Sequence, residues 1–356
     1  MGKGILPKTP DMANLHSLPM MNYIVCEKPG ELKLKQKEVP TPSPHEALLQ
    51  IKNIGICGTD LHAYTGNQAY FTYPRILGHE LAAQILEIED HPTLKAGDKV
   101  VVMPYMSCGT CIACRQGKTN CCQHLEVLGV HTDGGMQEII TVSHDFLIPA
   151  PQLSYQEMAI VEPLSIGAHA IRRSDLQVGE FIAVMGAGPI GLGIMALAQM
   201  MGATVIAMDI NDQRLQFAQE VIGVDHTINV ASNPLAKVQE ITDHDLATAV
   251  FDATGNRQAL EAGPQFMAHG GRYILVGLSK DQLSFNHPSI HAKEATLMCS
   301  RNATREDFQF VIKVLERQAF PTEAFITHMV PFGQMITQFE EWLKPESGVI
   351  KAMIEL

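Results

Sequence analysis

Between Gly55 and Glu80 the chain reads GICGTDLHAYTGNQAYFTYPRILGHE. It carries a lone thiol at Cys57, a hydroxyl at Thr59, carboxylates at Asp60 and Glu80, and imidazoles at His62 and His79. Cys57 and His79 stand 22 residues apart, one on each side of a loop. Thiolate, imidazole and carboxylate together suit zinc, and three protein ligands leave a fourth position open for chemistry. Taken alone, the stretch also fits a buried thiol beside surface histidines. Farther on, Cys108, Cys111 and Cys114 are each separated by two residues, and Cys122 follows after seven more. Four thiolates at this spacing let one short loop wrap a second, tetrahedral, structural zinc with no site for water. Cys121 is the spare thiol. Five of the eight cysteines fall within 15 residues and no secretory-type apolar segment precedes them. Metal ligation in a reducing, cytoplasmic setting is therefore expected over a disulfide framework.

A second kind of chemistry appears near the middle. EFIAVM is a continuous apolar run that leads into Gly186-Ala-Gly188-Pro189-Ile190-Gly191, then the apolar LGIMALAQMMG, then TVIAM ending at Asp209. Strand, glycine turn, helix, strand and acid form the dinucleotide fingerprint in its proper context. The glycines let a pyrophosphate approach the helix N-terminus, where free N–H groups favour anions. Asp209, 18 residues after Gly191, should bond the ribose hydroxyls and repel a 2′-phosphate, so NAD is expected over NADP. Further cofactor contacts are expected from Arg214 and from Thr254 and Val276, which end two later strands. Glu162, next to Pro163 in an apolar surround, is either a surface residue on a helix or a buried ligand. An unpaired buried carboxylate is costly, so the local sequence favours the surface unless a cation lies nearby.

The elements that must position these groups fall into two patterns. Residues 22–53, 82–89 and 98–105 read as short strands broken by Pro29-Gly30, TPSPH and Gly97, which suggests a small barrel-like β unit. Gly134-Gly135 reads as a tight turn in a further β stretch. SYQEMAIVEPLSIGAHAIRRS turns helical, and from Gly179 strands alternate with helices, the mark of a doubly wound parallel sheet. DFQFVIKVLERQAF is an amphipathic helix, and the tail GVIKAMIEL reads as a strand rejoining the first β unit. The expected division is an N-terminal extension at 1–20, a catalytic unit of 21–157 with 295–356 (metal lobe at about 105–125), and a nucleotide unit at 158–294. Lys plus Arg is 26 and Asp plus Glu is 38, so net charge is 26 − 38 = −12. An acidic surface argues against nucleic acid and anionic membrane as partners. No apolar run is long enough to span a bilayer.

From about Met21 to Leu356 these motifs resemble the zinc-dependent medium-chain dehydrogenase family: Gly-Ile-Cys57-Gly-Thr59-Asp60, Gly78-His79-Glu80, the four-cysteine lobe, Glu162-Pro163 and the glycine turn. The resemblance implies an α/β chain with a GroES-like catalytic domain and a Rossmann domain, NAD, and two zinc ions. It implies a catalytic zinc on Cys57, His79 and Glu162, with Glu80 beside it as alternate ligand. It also implies Asp60 orienting the ligand histidine and Thr59 and His62 relaying the proton. For His62 a plain surface imidazole is the alternative. Glu162 in the third position is similar to the polyol and threonine branch rather than to simple-alcohol enzymes. Thr65-Gly-Asn67-Gln68, Phe71-Thr-Tyr73-Pro74-Arg75, Gly129-Val-His131 and Ser300-Arg301-Asn302-Ala-Thr304 look like the family's sugar-acid oxidisers. Arg301 and Asn302 are then substrate contacts, although Arg301 also fits an ordinary salt bridge. The implied partner is a small sugar acid or polyol, and the implied assembly a homodimer or homotetramer. A nucleotide-binding regulator without catalysis is the rival outside the enzymes.

Overall fold

The computed structural model describes residues 20–67 and 71–356. Gln68 and nearly all of the expected N-terminal extension lie outside the described residues.

Alternating apolar runs and helices after Gly179 build the expected parallel sheet. Its six strands run His226–Asn229, Thr204–Asp209, Phe181–Met185, Ala247–Asp252, Met267–Leu275 and Thr296–Cys299, in that spatial order and all parallel. Counted along the chain, this order is 3-2-1-4-5-6, so it reverses beside Phe181–Met185, where a nucleotide crevice forms. Ala183, Val184, Val205, Ile206, Val250 and Phe251 are fully buried, as expected for strands covered on both faces.

A second sheet of seven strands carries the β unit. Glu46–Ile56 sits at its centre and pairs antiparallel with Glu80–Ile88, Ile139–Ser143 and the C-terminal Lys351–Glu355. The tail thus rejoins the first β unit as its apolar pattern predicts. Met20–Lys28 and Glu31–Glu38 form a separate hairpin. Between the two sheets run helices Tyr155–Ala159 and Val161–Ser174, and Arg305–Glu316 packs on the second of these.

Three readings need correction. The expected end of the nucleotide unit at 294 falls short, because Thr296–Cys299 pairs parallel with Met267–Leu275 as the sixth strand of that sheet. The stretch after Cys57 is a helix, Gly58–Tyr64, with Cys57 at its N-cap, and not loop throughout. Asp60 makes this possible by accepting from the free Cys57 N–H at 2.9 Å, the reciprocal half of a capping box. Gly134-Gly135 is a close approach of backbones and not a hairpin turn. A Cβ at Gly134 would stand 2.3 Å from the Gly78 carbonyl oxygen. The Gly134 and Gly135 N–H groups donate to Ile76 and Gly78, so this pair clamps the loop that presents His79.

Candidate active site

The metal-type residues arrive from separate elements. Cys57 ends the central strand, His79 and Glu80 open its neighbour, and Gly55 faces Glu80 across the ladder. Gly55 has a steric reason to lack a side chain, because a Cβ there would fall 2.0 Å from Glu80 Oε2. One donor atom each from Cys57, His79 and Glu80 lie within 4.8 Å of one another. Asp60 ties the two halves together: Oδ2 accepts from Cys57 N at 2.9 Å and Oδ1 from Gly78 N at 3.1 Å. Its Oδ1 lies 3.7 Å from His79 Nδ1, too long for a hydrogen bond. Asp60 therefore orients the histidine mainly through the Gly78 backbone.

Glu162 resolves the alternative left open by its local sequence, since it is buried at 5% exposure on helix Val161–Ser174. It is not one of the three converging donors. The Tyr105 hydroxyl donates to its Oε1. Glu80 is held instead by Lys351, itself 1% exposed, whose Nζ donates to Glu80 Oε1 at 2.7 Å, Oε2 at 2.5 Å and the Ile56 carbonyl at 3.0 Å. Neither Tyr105 nor Lys351 was anticipated. The available signal for Lys351 was a lysine inside the apolar strand VIKAMIE.

The electrostatics of this cluster ask for a cation. Burial pushes Glu162 up to about 7, against the pull of His79. Burial would lower the His79 imidazole, but Asp60 and then Cys57 and Glu162 carry it well above the usual histidine range. Cys57, Asp60, Glu80 and Glu162 thus surround one imidazole and one ammonium. His79 Nδ1 is buried without a hydrogen-bond partner, which costs about 1–3 kcal/mol in a dry site. A divalent ion on these donors would relieve both the charge excess and the proton demand, so the residues fit zinc. We expect its affinity here to rise at least about tenfold between pH 6 and 8, because Glu162 and His79 must both release protons to bind it. Chelator competition at the two pH values checks this, and equal affinities would contradict it.

The four-cysteine lobe also assembles as its spacing predicts, with the sulfurs of Cys108, Cys111, Cys114 and Cys122 inside 4.8 Å. Cys122 Sγ accepts from the N–H groups of Cys108 and His124, each at 3.3 Å. The Thr110 hydroxyl holds Cys108 down to about 5, while desolvation and neighbouring thiols push Cys114 up to about 12. Four crowded sulfurs sharing too few charges again fit a tetrahedral zinc.

At the nucleotide crevice, helix Pro189–Met200 starts on Gly188 with proline in its first turn. Gly186 adopts φ +95°, which favours glycine. A Cβ on Gly191 would fall 1.8 Å from the Gly186 carbonyl oxygen, so the turn closes only with glycine there. Pro189 and Ile190 are half-buried in the first turn of the helix. Asp209 ends its strand with Oδ2 accepting from the Ala187 N–H at 2.7 Å, so it also pins the turn. Arg214 reaches toward Gly188, with NH1 3.9 Å from where a Cβ would be. Thr254 and Val276 follow the ends of neighbouring strands beside a buried Asp252, which accepts from Thr254 N at 2.9 Å and whose main-chain oxygen takes the Val276 N–H.

Thr59 is half-buried and His62 exposed on helix Gly58–Tyr64. Arg301 and Asn302 follow the edge strand Thr296–Cys299. Arg301 lines an open cleft of about 1070 Å³ with Lys118, Asn120, His169 and Arg173, and Cys57 and His79 are not in its wall. No hydrogen bond or ion pair engages its guanidinium among the described residues. Burial, with the Arg301 charge second, holds His131 below the usual imidazole range.

A β unit with an anion-rich metal cluster, joined to a dinucleotide-binding sheet, defines a metal-dependent nicotinamide-type oxidoreductase architecture. The chain belongs to the zinc-type alcohol dehydrogenase family: residues 43–152 match the alcohol dehydrogenase GroES-like domain, and residues 189–317 match the zinc-binding dehydrogenase domain. It is therefore an oxidoreductase of the class acting on CH–OH groups. It is 40% identical over 335 residues to L-galactonate-5-dehydrogenase of Escherichia coli K12, covering 94% of this chain and 98% of that one. It is 35% identical over 289 residues to a sorbitol dehydrogenase of Bacillus subtilis 168, covering 78% and 82%. Among solved structures, an alcohol dehydrogenase of E. coli CFT073 complexed with NADH superposes with a TM-score of 0.89 at 31% identity, covering 95% of this chain and all of that one. Among the described residues no helix is long and apolar enough to cross a membrane.

Proposed function

We propose that this chain oxidises a secondary hydroxyl of a sugar acid to the ketone, with NAD as acceptor. The observation that carries the reading is the converging Cys57, His79 and Glu80 donors with Glu162 buried beside them, joined to a chain 40% identical to a sugar-acid dehydrogenase. When bound, zinc would supply a Lewis acid that eases loss of the substrate hydroxyl's proton near neutral pH, and NAD would supply the hydride acceptor.

Cys57 and His79 hold the metal. Glu162 is the third ligand and Glu80 its alternate: the Lys351 ammonium neutralises Glu80, whereas Glu162 has only a neutral hydroxyl partner. Asp60 fixes both ligand loops by their N–H groups. Thr59, two residues after Cys57, would accept the substrate proton as it gives up its own hydroxyl proton toward the exposed His62, which would pass it to solvent. Asp209 presents its carboxylate to the cofactor ribose, which disfavours NADP, and Thr254 and Val276 flank the cofactor. Arg301 and Asn302 receive the substrate's carboxylate end, since a guanidinium fork suits that group. The second zinc closes the cysteine lobe, and a homodimer or homotetramer is the assembly we propose.

The similarity to a sorbitol dehydrogenase keeps polyol oxidation as the second reading. Initial rates with L-galactonate, D-gluconate, sorbitol and L-threonine, each with NAD and NADP, separate the two. Aldonates with NAD are expected to give the highest kcat/KM. Sorbitol ahead of every aldonate would overturn the sugar-acid assignment.

A further inference from the structure

The four-cysteine lobe is hydrogen-bonded to parts of the chain far outside its own loop. Asn120 lies two residues before Cys122, on the short turn Thr119–Cys121. It is polar and yet only 3% exposed. Its Nδ2 is 2.9 Å from the Arg301 carbonyl and 3.0 Å from His169 Nε2. A carbonyl can only accept, so the amide nitrogen is the group that faces both, and its two hydrogens serve two acceptors. His169 Nε2 is then unprotonated, and Nδ1–H donates to Asp307 at 2.9 Å.

Asp307 is a crowded acceptor. It also takes Arg172 Nε at 2.9 Å, the Thr304 N–H at 2.8 Å and the Thr304 hydroxyl at 2.9 Å. His169 and Asp307 are 6% and 2% exposed, so these bonds are shielded from water. One continuous polar chain therefore runs from the lobe to helix Val161–Ser174 and on to the N-cap of helix Arg305–Glu316. The first of these helices carries Glu162 two turns before His169, on the same face.

Arg301 sits where this chain touches the strand end. The Ser300 N–H donates to Leu275 at 2.9 Å, and Asn120 grips the Arg301 carbonyl. The peptide that follows Arg301 is thus fixed through its carbonyl, and the Cys299–Ser300 peptide is fixed one residue before it, although the next residue, Asn302, adopts a left-handed φ of +54°. Asparagine tolerates that region, and the Asn120 bond to the preceding carbonyl lies directly beside it.

We propose that Asn120 is a positioning residue, through which the cysteine lobe fixes the Ser300–Ala303 turn and so aims Arg301. The lobe's metal would then order a segment that touches substrate as well as stabilise its own loop. The aim toward a carboxylate rests on the function proposed above; the anchoring of the turn does not.

The test uses the full-length, zinc-loaded protein and its Asn120→Ala variant. Hydrogen exchange of the amides in 300–303 is read first, because it needs no substrate. Loss of one buried hydrogen bond predicts exchange about tenfold faster in the variant, with two zinc ions per chain retained. Exchange unchanged from wild type would overturn the proposal. Should Asn120→Ala lose metal, Asn120→Asp keeps the size, loses both donors and carries the same expectation.

KM is read second. With L-galactonate it should rise about tenfold with kcat within about twofold, while KM for sorbitol moves far less; a general loss of structure would shift both substrates alike. Faster exchange with an unchanged L-galactonate KM would refute the carboxylate role of Arg301 and leave the anchor standing. A wild type inactive on every aldonate would remove the sugar-acid reading, and the exchange measurement would still decide the anchor.

Discussion

Cys57→Ser should lose turnover by on the order of 10³-fold or more while the protein stays folded and keeps one zinc per chain. The size follows from the several kcal/mol that a metal Lewis acid contributes, at about 1.4 kcal/mol per factor of ten. Serine is nearly isosteric, so packing changes little. Its hydroxyl remains protonated where a thiolate is needed. The remaining donors are then an imidazole, a carboxylate already neutralised by Lys351 and a carboxyl that burial raises to about 7. The cysteine lobe lies elsewhere in the chain and retains its own four sulfurs. Zinc content and turnover are measured on the same preparation. A variant holding two zinc ions and full rate would contradict the assignment of Cys57.

Lys351→Met should have the largest effect on stability. The ammonium is 1% exposed and Glu80 is 0% exposed, and no other cation is bonded to Glu80 among the described residues. In protein whose Cys57–His79 site holds no cation, removing one partner of such a pair leaves a buried charge uncompensated, which costs about 3–5 kcal/mol. Gly55 already cedes its side-chain space to Glu80, so the carboxylate has no room to swing away on that side. The double variant Glu80→Gln, Lys351→Met removes the stranded charge and should recover more than half of the loss. Thermal unfolding of the two single variants and the double variant measures this coupling. A Lys351→Met variant as stable as wild type would contradict this pairing.

Much of this was legible in the chain because its signals are local. The glycine turn lies between an apolar strand and an apolar helix, and it folded as read. The cysteine spacing places four sulfurs on one loop without help from distant residues. The tail strand was legible from its apolar pattern alone. What escaped reading depends on partners far apart in sequence. Lys351 meets Glu80 across 271 residues and Asn120 meets the Arg301 carbonyl across 181, and no periodicity encodes either pairing. The approach of Gly134 to Gly78 likewise looked like a turn, since glycine pairs serve both purposes. Glu162 could be placed only once its surroundings were known, because burial, the His79 imidazole, the Glu80 carboxylate, the Tyr105 phenol and the Lys351 ammonium decide its state together.

The central claim is that a cation sits on Cys57 and His79 with a buried carboxylate, beside the nucleotide crevice. Anomalous diffraction at the zinc edge, from crystals grown with NAD, tests it most directly. Two peaks per chain are predicted, one among Cys108, Cys111, Cys114 and Cys122 and one on Cys57 and His79. A single peak, confined to the four-cysteine lobe, would contradict the account.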